Sequence, residues 1–138
     1  ERIGILPEKH EVLDWMVPAP AQGALMLVGL EENTELAEKV GELTHIDTQL
    51  AVSIERAFLR ELEGGCSAPI GALAEVKGGY VKFVGVLSSL DGETELRVEG
   101  SAREGNAEIG AAWAKDLLNE GGRELMETIQ KDMSYGKA

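Results

Sequence analysis

The sequence predicts an α+β fold, a three-stranded antiparallel sheet with helices packed on one face. Residues 70–99 are rich in strand-forming residues and contain two turn signals, Gly78-Gly79 and Asp91-Gly92. The segments on both sides repeat apolar residues at spacings of three and four, which is typical of amphipathic helices. A chain of 138 residues suits one domain, or one domain and a piece of another.

The first part of the chain predicts little regular structure. Residues 5–23 contain prolines at positions 7, 18 and 20, and we expect them to be irregular. The apolar run 24–28 lies between two glycines and predicts a short buried strand. Asn33 or Thr34 can cap a helix that continues to about Leu43.

A longer helix is predicted from about Thr48 to Glu63, with Asp47 or Thr48 as its cap. Its apolar residues recur on one face: Leu50, Ile54, Ala57, Phe58 and Leu62. Gly64 suits the left-handed conformation that ends many helices. Cys66 is therefore expected just beyond a helix C-terminus, in a glycine-rich loop.

Three strands and two closing helices are predicted after this loop. Glycines at 78 and 79 join the first two strands, and in the third strand apolar and charged residues alternate. The predicted elements are strands at 70–77, 80–88 and 94–99, and helices at about 107–119 and 123–132. Trp113 falls on the apolar face of its helix, which favours a role in the core.

The composition limits the class of function. A formal net charge of −12 repels the phosphates of nucleic acids and anionic membrane surfaces. No apolar run approaches the roughly 20 residues that a membrane helix requires. The single cysteine cannot form an internal disulfide, which favours a reducing, cytoplasmic setting. Neither a nucleic acid nor a membrane is expected as a partner.

Cys66 has the clearest potential for chemistry, and three interpretations of it are open. It can be an inert buried residue in an acidic α+β binding module. It can be a turnover nucleophile, which is disfavoured because the helix C-terminus and the nearby Glu61 and Glu63 oppose thiolate formation. It can also be a slowly reacting thiol that attaches a group permanently. His10 and His45 lack metal-ligand spacing with each other or with Cys66, so no metal site is predicted.

Several motifs resemble those of the porphobilinogen deaminases. The run Leu62-Glu63-Gly64-Gly65-Cys66, followed by Pro69-Ile70-Gly71, is similar to the segment around that family's cofactor cysteine. Residues 55–60 are similar to the helix that leads into it, and residues 18–25 to a Pro-Ala-x-Gly-Gln-Gly-Ala segment, with Ala21 where the family usually has glycine. Residues 89–92 and 117–122 resemble its hairpin turn and closing helix, so the resemblance covers nearly the whole chain.

The resemblance implies a fold, an activity and a cofactor. Residues 1–30 would be the remnant of a preceding α/β domain, and residues 31–138 a C-terminal domain that anchors the cofactor. The family condenses four porphobilinogen molecules head to tail, with loss of ammonia, to give hydroxymethylbilane for haem and other tetrapyrroles. Cys66 would hold a covalent dipyrromethane through a thioether, and the glycines at 64, 65 and 71 would let this loop move as the product grows.

The resemblance also implies that the catalytic groups lie outside these residues. Substrate and cofactor carry carboxylates, which need arginine and lysine partners, whereas the arginines here are scattered among glutamates. We expect N-terminal domains of the same polypeptide to supply those partners in a monomeric enzyme. The 138 residues alone should then be inactive and lack the cofactor. Gln22 and Gly23 match a segment near the cofactor, and two interpretations stay open for them: hydrogen bonding to that group, or a simple turn.

Overall fold

The described residues in a computed structural model of the protein are 9–62, 68–103 and 106–135. Within these ranges the elements are α1 (Thr34–Gly41), α2 (Ile46–Glu61), β1 (Ile70–Lys77), β2 (Tyr80–Ser88), β3 (Glu95–Arg103), α3 (Glu108–Leu117) and α4 (Arg123–Tyr135). The strands form one antiparallel sheet in the order β1-β2-β3, and helices α2 and α3 pack on it. The predicted α+β fold is therefore confirmed.

The helices in the described ranges include none with the length and apolar character needed to cross a bilayer.

The β1–β2 hairpin follows from its two central glycines. Gly78 has φ +58 and Gly79 has φ +78, the left-handed values that a tight two-residue hairpin turn requires. Lys77 pairs with Tyr80 directly beside this turn, and the ladder then runs back to the pair Ile70 and Leu87. This register places alternate residues of both strands on the face that the helices cover.

The β2–β3 turn is held by side-chain hydrogen bonds. The Ser89 hydroxyl and the Glu93 N–H both donate to Asp91 Oδ1, at 2.5 and 3.0 Å. These bonds favour the ionised form and lower the pKa of the Asp91 carboxyl. Gly92 takes φ +74, so the Asp-Gly pair forms the turn that its sequence predicts.

A row of three aromatic rings forms the centre of the core. Phe58 of α2 lies 5.0 Å from Phe83 of β2, and Phe83 stacks on Trp113 of α3 at 4.7 Å between ring centroids. The helices approach this closely because the sheet has glycines beneath both outer rings. A Cβ at Gly85 would overlap the Phe58 ring, and one at Gly100 would overlap the Trp113 indole. The predicted core position of Trp113 is confirmed.

The predicted strand at residues 24–28 is wrong. The structure has no strand there, and Leu25, Met26, Leu27 and Val28 are 63–85% exposed. An apolar run becomes a strand only where a neighbouring strand pairs with its backbone groups. None of the three described strands pairs with this run.

Helix boundaries differ from the sequence prediction where capping decides them. Asn33 caps α1 as predicted, since its Oδ1 accepts the Leu36 N–H at 3.1 Å. Helix α2 instead begins at Ile46, because His45 Nδ1 accepts the Thr48 N–H at 3.3 Å, so the caps predicted at Asp47 or Thr48 are wrong. Helix α1 buries none of its residues. A kinked turn, with Gly121 at φ +109, separates α3 from α4.

Replacing Gly110 by alanine is expected to destabilise the domain by about 2–3 kcal/mol. A Cβ at this position, in the first turn of α3, would overlap the carbonyl oxygen of Ile54 in α2, and backbone cannot rotate away as a side chain can. Urea unfolding followed by tryptophan fluorescence measures the loss. Gly41→Ala is the matched control.

Gly41 also lies in a helix, but no atom comes within 4 Å of the point that a Cβ would occupy there. Alanine at this position should leave stability unchanged or raise it by about 0.5–1 kcal/mol, because glycine loses more backbone entropy on folding. Equal effects of the two substitutions would contradict the close helix contact.

Candidate functional site

Cys66 lies outside the described residues, within the gap at 63–67, so its predicted role rests on the sequence. Both ends of the gap are fixed in the core. Leu62, directly after α2, is 2% exposed, and Ile70, the first residue of β1, is 7% exposed. The Pro69 carbonyl accepts the Ser88 N–H at 3.0 Å, which holds the approach to β1 against β2. Residues 63–67, here called the cysteine segment, therefore connect two anchored elements.

Gln22 and Gly23 lie in an exposed turn before α1. The Gln22 N–H donates to the Ala19 carbonyl at 3.2 Å, and Gly23 takes φ +84. This geometry fits the turn interpretation, and both residues remain accessible to a ligand or another domain.

The segment before this turn follows the outer edge of β1. The Ala72 N–H donates to the Pro18 carbonyl at 2.9 Å. A Cβ on Gly71 would lie 2.8 Å from the Val17 carbonyl oxygen and 2.7 Å from Val86 Cγ2. Gly71 therefore serves close packing inside a strand, and the predicted role of this glycine in a mobile loop is not supported by its position.

Glu55 joins this segment to the sheet. Its side chain is buried in α2, with 6% of the residue exposed. Glu55 Oε2 accepts the Ala21 N–H at 2.6 Å, and Oε1 accepts the Ala74 N–H of β1 at 2.8 Å. Hydrogen bonds to a charged acceptor are among the stronger ones in proteins. One carboxylate thus links the helix, the sheet edge and the turn that contains Gln22.

The sequence marks Glu55 as unusual, because its neighbours on the helix face are apolar. Periodicity alone does not show which group would pair with its carboxylate. The neighbours of Glu55 on its helix face are Ala51, Phe58, Leu59 and Leu62, at i−4, i+3, i+4 and i+7. A glutamate surrounded by apolar residues on a buried face needs a polar partner. The partners here are backbone N–H groups from distant segments, which no side-chain pattern identifies.

Ala21 adopts a left-handed conformation. Its φ of +62 is the only positive value at a non-glycine position within the described ranges. The Cβ makes this conformation unfavourable for alanine and acceptable for glycine. Glycine, expected here from the motif that residues 18–25 resemble, would adopt this conformation without that cost. The bond from the Ala21 N–H to Glu55 helps to hold the strained conformation.

A groove of about 660 Å³ opens beside Gly23. Residues 23–27 form one wall, and the end of α1 and the first turns of α2 form the other. The lining is mainly apolar, with His45, Gln49 and Arg56 among its polar members. It contains a single arginine, so it offers little to balance a ligand with several carboxylates.

Positive side chains are dispersed over the described residues. Arg97 Nε lies 2.8 Å from Glu99 Oε1, and Lys115 Nζ lies 3.9 Å from Glu61 Oε1. The Arg103 guanidinium lies 5.6 Å from the centroid of the Tyr80 ring. No three side chains of the metal-binding types converge within the described ranges. The described residues therefore offer a ligand shape and backbone contacts rather than a concentration of positive charge.

A family model described as "Porphobilinogen deaminase, C-terminal domain" matches residues 49–119. The match runs from α2, across the cysteine segment and the whole sheet, to the end of α3. The match and the observed fold together define the class of protein: an α+β domain similar to the C-terminal domain of deaminases.

Curated relatives called porphobilinogen deaminase extend the similarity to nearly the full chain. The protein of Mycobacterium ulcerans is 43% identical in an alignment 137 positions long, which covers 91% of this chain and 44% of the relative. The Mycobacterium avium protein is 40% identical over 98% of the chain and 47% of its own length. The Carboxydothermus hydrogenoformans protein is 36% identical over 96% and 43%. The chain belongs to the porphobilinogen deaminase family, and it spans less than half the length of these relatives.

Replacing Ala21 by glycine is expected to raise the free energy of unfolding by about 0.5–1 kcal/mol. Glycine removes the strain of a positive φ, and its larger entropy in the unfolded state offsets part of that gain. Urea unfolding measures the change. Ala19→Gly in the same turn, where no positive φ occurs, should instead lower stability by a similar amount. A loss of stability at both positions would contradict the strained conformation.

Proposed function

We propose that this chain is the C-terminal domain of a hydroxymethylbilane synthase, a cytoplasmic transferase of tetrapyrrole biosynthesis. The enzyme condenses four porphobilinogen molecules head to tail and releases ammonia. This domain carries the cysteine that holds the dipyrromethane cofactor. The observation that supports the proposal is the family match over residues 49–119, which includes Cys66.

The residues present fit a covalently held cofactor. Cys66 is the one thiol of the chain, and it lies between two elements whose ends are buried in the core. A thioether to this sulfur resists hydrolysis, as a permanent attachment requires. When bound, the cofactor supplies the pyrrole end from which the product chain grows. Gln22 and Gly23 would contribute amide and backbone hydrogen bonds near that group.

The charge of the domain supports a division of labour with other domains. Its formal net charge is −12, and its cations are dispersed among glutamates. The carboxylates of porphobilinogen and of the cofactor require a concentrated set of arginines and lysines. We therefore assign those partners, and the catalytic acid–base groups, to N-terminal domains of the same polypeptide. The complete enzyme would act as a monomer.

Intact mass spectrometry of the full-length protein tests the attachment at Cys66. The wild-type protein should exceed its sequence mass by one dipyrromethane, and Cys66→Ser should remove the excess and abolish bilane formation, because serine supplies no thiol. Ser67→Ala, one residue away, is the matched control and should keep both. An active wild-type protein with an unmodified sulfur would leave Cys66 as an inert cysteine.

The 138-residue chain alone is expected to show no bilane formation and no mass excess. The groups that bind porphobilinogen and assemble the cofactor would be missing, although the domain carries the thiol. A colour reaction for pyrroles and an assay of bilane release, with full-length protein as the positive control, measure both properties. Turnover by the purified chain would show that its own residues suffice.

A further inference from the structure

Glu55 is a buried acidic residue that the proposed chemistry does not use. It is 6% exposed and lies in the middle of α2, among the apolar side chains of the core. Burying a carboxylate costs free energy unless hydrogen bonds replace its lost water. Both of its oxygens have such bonds, from the backbone N–H groups of Ala21 and Ala74.

The two donors belong to parts of the chain that are far apart in sequence. Ala74 lies in β1, which pairs with β2 on one side only. Its N–H points to the outer edge, where Pro18 already accepts the N–H of Ala72. Ala21 lies 34 residues before Glu55, in the turn that leads to Gln22 and Gly23. The carboxylate therefore fastens this turn to the sheet edge.

The bond to Ala21 does more than satisfy a buried donor. A water molecule or a carbonyl could accept the Ala74 N–H at an open sheet edge. The Ala21 N–H, in contrast, belongs to a residue in a left-handed conformation that alanine disfavours. A short bond of 2.6 Å to a carboxylate offsets this cost. The interaction thus maintains a particular shape of the segment, and that shape presents Gln22 and Gly23.

We propose that Glu55 is a positioning residue that holds residues 18–23, here called the border segment, at a constant place relative to α2, the helix from which the cysteine segment follows. The inference rests on the proposed function, because only a bound cofactor makes a constant position of the border segment useful. Helix α2 carries Glu55 and ends at Glu61, so the helix that holds the border segment is also the element directly before residues 63–67.

This assignment shifts the boundary between the domains. The border segment, together with Val17, moves with the C-terminal domain, although a division at residue 30 would count it with the preceding one. The exposed run at residues 25–30 stays available for contact with another domain. Under this proposal the C-terminal domain already includes Val17.

Hydrogen exchange in the full-length protein tests the contact directly. In the wild type the Ala21 and Ala74 amides should exchange slowly. In Glu55→Gln at least one of them should lose about 10-fold or more in protection, because an amide side chain offers one acceptor and turns its NH₂ group towards the other donor. Amides between β1 and β2 should change by less than about 3-fold.

Glu75→Gln is the matched control, since it makes the same charge change at an exposed position of β1, next to Ala74. It should leave the protection of both amides unaltered. If Glu55→Gln does not fold, the wild-type exchange still decides the contact. An Ala21 amide that exchanges as fast as that of exposed Leu25 would overturn it.

Kinetics test the positioning role. Glu55→Gln should lower kcat by about 10-fold and change KM by less than about 3-fold, because the substrate-binding cations would lie on other domains and only the geometry is disturbed. Unchanged kcat despite lost protection at Ala21 would overturn the role. The mass of the wild type separates the two proposals: an unmodified Cys66 removes the proposed function, whereas the exchange result stands independently of it.

Discussion

The contact of Phe58, Phe83 and Trp113 is the constraint on which the rest of the domain depends. Helices α2 and α3 can approach the sheet only where glycine leaves room, at Gly85 for Phe58 and at Gly100 for Trp113. These two positions fix where each helix lies. Because these contacts determine the position of α2, they also determine where its C-terminal end and Glu55 lie. Core packing therefore determines where α2 ends and, with it, where the cysteine segment begins.

Features that depend on neighbouring residues alone could be predicted from the sequence. The Gly78-Gly79 pair determines both the turn and the β1–β2 register, because it supplies the two positive φ values that the turn needs. Asn33 caps α1 through its own side chain. The apolar stripe of α2 likewise predicts its buried face. In each case the interaction that decides the structure joins residues close in sequence, so the local sequence is sufficient to predict it.

Features that depend on a distant partner could not be predicted in this way. The apolar run at 24–28 has the composition of a strand and lacks a neighbouring strand among the described residues. Glu55 has acceptor atoms whose donors lie 34 and 19 residues away and belong to the backbone. Resemblance identified the segment around Cys66, but neither composition nor periodicity distinguishes this thiol from an inert one.

The way in which Glu55 is satisfied has a consequence for charge. Buried carboxylates in proteins are usually paired with a cation, whereas the partners of Glu55 within the described ranges are two main-chain N–H groups. The adjacent Arg56 is exposed and lines the groove beside Gly23. The fold is thus stabilised without withdrawing an arginine from the surface of an already acidic domain. Under the proposed function this is the arrangement to be expected of a domain that supplies attachment and geometry, while recognition of anionic substrates falls to its partners.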